Sequence, residues 1–171
     1  MGEKNGTTRG LDTTDITLAG QSAGGHLAAM QAITETGQKD PMNGPLVDCL
    51  VDVSGPMDLP GLVGESTFAS GRAKTILGQT FDMNPGLWKS ASPSYVLESS
   101  PKIKMPVTRI IQGTSDPVVP LVQSTGFQNQ LVKMSVPSRL EKIVGAGHEL
   151  FKGAIASKTK RLILDFLKTG V

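Results

Sequence analysis

Short apolar runs alternate along the chain with longer stretches whose apolar residues recur at helical spacing. Four runs predict strands: 15–19 (DITLA, Asp15 to Ala19), 49–53 (CLVDV), 107–112 (VTRIIQ) and 139–144 (RLEKIV). Turn residues close each one: Gly20, then Ser54-Gly55-Pro56, Gly113 and Gly145-Ala146-Gly147. The 3.6-residue pattern predicts a helix over 22–36, with Leu27, Ala29, Met30 and Ile33 inward and Gly37 as its stop. A second helix is predicted over 121–133 with Leu121, Phe127 and Leu131 inward. A third is predicted over 158–168, with Leu162, Ile163, Phe166 and Leu167 on one side. Residues 57–100 are rich in Gly, Pro and Ser and predict only short helices, near 69–77 and 93–97. Residues 1–14 are polar and Gly/Thr-rich and read as a loose N-terminal arm, leaving 15–171 as the folded domain.

Strands alternating with helices imply parallel βαβ units with right-handed crossovers. The expected fold class is therefore α/β: a small open parallel sheet of about four strands flanked by helices. Ligands bind such sheets outside the carboxyl ends of the strands. Three chemically useful residues fall there. Ser22 follows the first strand, Asp116 the third and His148 the fourth.

Ser22 lies in Gly20-Gln21-Ser22-Ala23-Gly24, a G-x-S-x-G pattern between a strand and a helix. Glycines two residues to either side are expected to let strand and helix approach closely. A serine hydroxyl is a poor nucleophile at neutral pH and needs a general base. The chain has two histidines, and His26 sits on the serine's own helix, better placed to pack or cap than to bridge to a carboxylate. His148, in a Gly-rich loop, is the expected base. Asp116 is the expected acid that holds its tautomer, with turn or N-cap duty as the competing reading. The helix after Ser22 aims its positive end at the site, which makes the Ala23 N–H an expected oxyanion donor. Such a base predicts a rate that falls in mildly acidic solution as imidazole protonates.

Composition narrows the function classes. The net charge is +2, and with aromatics at 4% there is no basic, aromatic-interleaved face for nucleic acid. No apolar run is long enough to span a bilayer, and no secretory signal is evident, so a cytoplasmic location is expected. The single Cys49 excludes an internal disulfide and reads as a small buried hydrophobe. Two histidines and one cysteine do not make a usual zinc site, so neither metal nor cofactor is expected.

The segments DITLAGQSAGGHLAAM (15–30), VDVSGPMDL (51–59), ASPSYV (91–96), IIQGTSDPVVPLVQS (110–124) and VGAGHELF (144–151) resemble, in order, the C-terminal part of α/β-hydrolase carboxylesterases of the acetyl-esterase, feruloyl-esterase-like and hormone-sensitive-lipase-like group. The resemblance implies Ser22 as nucleophile, Asp116 as acid and His148 as base. It implies ester hydrolysis through an acyl-enzyme; the small insertion between the second and third strands leaves little material for a lid, so short-chain acyl esters, or bulky esters reaching an open site, are the expected small-molecule substrates. A non-catalytic remnant serving as a binding or scaffold module is the alternative. Family members carry further strands and a His-Gly-Gly oxyanion loop before the nucleophile strand, and Gly2, Gly6 and Gly10 do not match that loop. The chain thus reads as N-terminally truncated, with its second oxyanion donor unassigned. The strand 15–19 becomes an edge and one sheet face loses a covering helix. Thr17, Asp52, Arg109 and Glu141 interrupt strands that a fully covered sheet would keep apolar. A homodimer through that edge or face is the expected assembly.

Overall fold

The computed structural model describes residues 10, 15–37, 47–100 and 103–170. The predicted arm at 1–14 therefore lies outside the described residues, Gly10 excepted. In chain order the elements are β1 (Thr17–Gln21), α1 (Ala23–Gly37), β2 (Cys49–Val53), a broken helical turn at Leu62–Glu65, α2 (Thr67–Leu77), α3 (Pro85–Ser90), α4 (Pro93–Ser99), β3 (Val107–Gly113), α5 (Leu121–Lys133), β4 (Ser138–Ile143) and α6 (Ile155–Thr169).

The four strands form one parallel sheet in the order β1-β2-β3-β4. Each new strand is added on the same side of the last, so right-handed crossovers bring α1, α4 and α5 to one face. On that face Ala29, Ala32 and Ile33 of α1, Leu97 of α4, and Phe127 and Leu131 of α5 bury against Leu50 and Ile110. The opposite face is closed by α6, the helix after β4, whose Phe166 packs with Val51, Val53, Ile111 and Ile143. The β2–β3 connection builds a third cluster of Leu59, Leu62, Ala69, Ala73 and Trp88. Two of its helices, α2 and α3, start on side-chain caps: Ser66 Oγ accepts from the Ala69 N–H at 3.2 Å, and Asn84 Oδ1 from the Leu87 N–H at 3.0 Å. No helix among the described residues is long and apolar enough to cross a membrane.

Several predicted details shift. β1 runs two residues further than expected, because Gly20 and Gln21 stay extended and pair with Asp52 and Val53. Leu27 is 65% exposed, not inward. The stripe that meets the sheet is Ala28, Ala29, Ala32 and Ile33, since a helix this close to the strands needs small residues there. Leu167 is also exposed, and Thr159 is buried on α6 in addition to Phe166. α3 was not predicted, although Asn84-Pro85 is a cap followed by proline at the first helical turn. Of the residues that interrupt the strands, Arg109 is buried, donates to Glu141 Oε1 at 2.5 Å and lies 5.1 Å from the centre of the Phe166 ring. Cys49 is half-buried rather than fully enclosed.

Candidate active site

The site is built on three strand ends. At the first, the Ser22 N–H donates to the Val53 carbonyl at 2.8 Å, and the Ser22 carbonyl accepts from the His26 N–H at 3.1 Å to start α1. Between strand pairing and helix, Ser22 is forced to φ +56°, a left-handed conformation that costs a side-chain-bearing residue energy. The glycines explain why the turn can be so tight. A Cβ on Gly20 would overlap the Gly24 carbonyl, and one on Gly25 would overlap the Asp52 carboxylate. A Cβ on Gly24 would meet nothing within 4 Å, so the close approach rests on Gly20 and Gly25, not on the second glycine of the pattern. The N–H groups of Ala23, Gly24 and Gly25 precede the first intrahelical acceptor and form the positive end of α1.

At the third strand end, Asp116 divides its two oxygens between two tasks. Oδ1 accepts the Val118 and Val119 N–H groups at 2.8 and 2.9 Å, fixing the turn. Oδ2 accepts from His148 Nδ1 at 2.8 Å. The hydrogen bonds expected of a turn aspartate and the contact with His148 thus occur on different oxygens of one carboxylate. Burial pushes its carboxyl up, but the His148 hydrogen bond, the Val119 and Val118 N–H groups and the imidazole's charge together hold it below the ordinary aspartate value.

At the fourth, His148 Nε2 lies 2.9 Å from Ser22 Oγ. With Nδ1–H given to Asp116, Nε2 is free to accept the serine proton. The Gly-rich His148 loop is fastened on several sides. The Ser115 N–H donates to Ala146 O at 2.9 Å, the Gly145 N–H to Thr114 Oγ1 at 2.9 Å, and Gln21 Nε2 to His148 O at 2.9 Å. Leu150, fully buried, pins the far side. Gly145 is required for its φ of +74°. Gly113 is required because a Cβ there would overlap the Ala146 carbonyl.

The other histidine stays apart from this group. His26 Nε2 donates to Ala91 O at 2.7 Å, tying α1 to the end of α3, and burial lowers its pKa while the Ala91 carbonyl partly restores it. Sequence reasoning missed Gln21, Gln112, Thr114 and Ser115, which hold the site from behind. Their signal was adjacency, since each lies within four residues of Ser22 or Asp116.

The four-stranded parallel sheet with helices on both faces is an α/β-hydrolase fold. At 22% identity it superposes on a truncated form of a carbohydrate esterase from gut microbiota with a TM-score of 0.76, over 96% of this chain and 64% of that one. At 19% identity it superposes on the acylaminoacyl peptidase of Pyrococcus horikoshii with a TM-score of 0.76, over 97% of this chain and 26% of that one. In sequence the chain is 30% identical over 170 residues to the esterase LipC of Mycobacterium tuberculosis, covering 92% of this chain and 41% of that esterase. It therefore spans less than half the length of that relative. The BD-FAE family profile matches residues 3–131, and the chain belongs to that family. The match includes Ser22 and Asp116 and reaches further toward the N-terminus than the resemblance read from the sequence; His148 lies beyond it.

Proposed function

We propose that this chain is a serine carboxylesterase in which Ser22 attacks, His148 moves protons and Asp116 holds the imidazole. The supporting observation is the continuous hydrogen-bonded line from Ser22 Oγ to His148 to Asp116, at 2.9 and 2.8 Å. His148 Nε2 takes the Ser22 proton as Oγ bonds to the ester carbonyl carbon. The Ala23 N–H and the positive end of α1 stabilise the oxyanion that forms. The imidazolium then protonates the departing alkoxide, leaving an acyl-serine. Water attacks that ester, gives one proton to His148, and the acid departs as Ser22 regains its hydrogen. Esterases and peptidases share the fold, so the choice of an ester rests on the family. The β2–β3 connection is folded around its own Trp88 cluster, which favours short-chain acyl esters over substrates that need a large covering lid. Purified protein should hydrolyse p-nitrophenyl acetate and react with a fluorophosphonate probe, and Ser22→Ala should lose both. A wild-type protein that the probe leaves unlabelled would sink this reading in favour of a non-catalytic scaffold.

The same reading extends to assembly. Among the described residues β1 pairs with β2 alone, and Ala19 is exposed beside the fully buried Val51. We propose that two copies meet at this edge. Sedimentation at micromolar concentration should give a dimer, and a strictly monomeric species would rule it out.

A further inference from the structure

Behind Asp116 lies a side-chain line with no place in the mechanism above. Gln112 and Ser124 are both fully buried. Gln112 Nε2 donates to Asp116 Oδ2 and to Val119 O, each at 3.0 Å. Ser124 Oγ donates to Gln112 Oε1 at 2.9 Å. A third acceptor, the Gly113 carbonyl, lies 3.3 Å from the same nitrogen. Three acceptors on one side and a hydroxyl on the other fix which way the amide points, its nitrogen toward Asp116, Val119 and Gly113 and its oxygen toward Ser124.

From this we infer that Gln112, set by Ser124, is a positioning residue for the triad: it holds Asp116 Oδ2 in line with His148 Nδ1 and draws off part of that oxygen's charge. Oδ2 is the oxygen that His148 uses, so two donors share it. A carboxylate relieved of charge by a neutral donor stabilises an imidazolium less. Gln112 therefore tunes the base as well as aiming it. The catalytic consequence of Gln112 rests on the esterase reading of this site. Its effect on His148 does not.

The charged and titratable groups facing this line are few. His148 meets Asp116 and Ser22. Glu149, next along the chain, is exposed and paired with Lys152 at 2.9 Å. Those surroundings stay constant across the variants below.

The test is the titration of His148 followed by NMR in wild type, Gln112→Leu and Ser124→Ala, with His26→Gln used to assign the second histidine. Losing the donor should move the His148 midpoint upward from the wild-type one, because Asp116 then keeps more of its charge for the imidazolium. Ser124→Ala leaves the amide in place but unlocked, and should shift it the same way by less. With p-nitrophenyl acetate, Gln112→Leu should lower kcat about tenfold with KM unchanged, and move the acid limb of the rate profile up with the NMR midpoint. A purely structural role predicts lower thermal stability with an unmoved midpoint in both variants, and that result overturns the inference. If Gln112→Leu does not fold, Ser124→Ala alone decides. Wild type lacking esterase activity would remove the catalytic reading while the NMR shift still reports on Gln112.

Discussion

Asp52 lies wholly out of solvent beneath the turn that carries Ser22, and its Oδ1 accepts the Gly55 N–H at 2.9 Å. No described group reaches its Oδ2. Burial pushes its carboxyl up to about 7, with the Gly55 N–H pulling the other way. The folded state therefore binds this proton more tightly than the unfolded chain. The stabilisation is complete below about pH 4 and is lost as pH rises toward 7, on the order of a few kcal/mol. Asp52→Asn removes the ionisation, so its melting temperature should exceed the wild type's by much more at pH 8 than at pH 4. An equal offset at both pH values would show that Asp52 does not titrate in this range. Asp116 is held in the opposite direction, and a milder substitution tests its two tasks. Asp116→Asn keeps an oxygen for the Val118 and Val119 N–H groups, so the turn should survive. An amide presents the wrong partner to His148, and hydrolysis should fall by roughly 10³–10⁴-fold with near-normal stability. The sequence revealed Asp116 through its place after a strand and its neighbouring glycine and prolines. It could not reveal that two oxygens would serve two purposes, because that depends on the fold of 116–119.

The turn from β1 into α1 shows how far a motif can be read. G-x-S-x-G located the turn that carries Ser22, yet the spatial need falls on Gly20 and Gly25. Gly20→Ala should destabilise the protein by several kcal/mol or prevent folding, since the backbone of α1 has no room to yield. Gly24→Ala should change stability by less than about 1 kcal/mol, because nothing lies within 4 Å and alanine suits a helix better. Urea melts of the two variants decide this, and equal losses would contradict it. Elsewhere pattern strength set legibility. α5 was read to its exact ends, Leu121–Lys133, because its apolar spacing and the prolines before it agree. α1 was located but turned: Ala29 and Ile33 face inward as read, whereas Leu27 and Met30 outweighed the smaller Ala28 and Ala32. Packing distance favoured the small residues, and no helical period reports packing distance. α3 was missed because six residues carry too little periodicity.

At the scale of the molecule, one face holds several helices and the other is closed among the described residues by α6. Phe166 is the anchor of that closure, fully buried and set against the Arg109 guanidinium. Phe166→Ala should cost about 3–5 kcal/mol, at the upper end because it also uncovers a buried charge. A calorimetric or urea loss below about 1 kcal/mol would show that α6 merely rests on the sheet. The α/β class and the four strands were legible from alternation alone. The sequential strand order was not, since many topologies fit the same string of elements. That order has a temporal consequence. Each strand is made by the ribosome directly after the neighbour it will pair with, so the sheet can lengthen from one side without waiting for distant chain. His148 emerges after β4, and the helix that seals the second face emerges later still. A nascent chain thus carries Ser22 with no imidazole beside it, and on the proposed reading its hydroxyl gains a base only after all four described strands have been made.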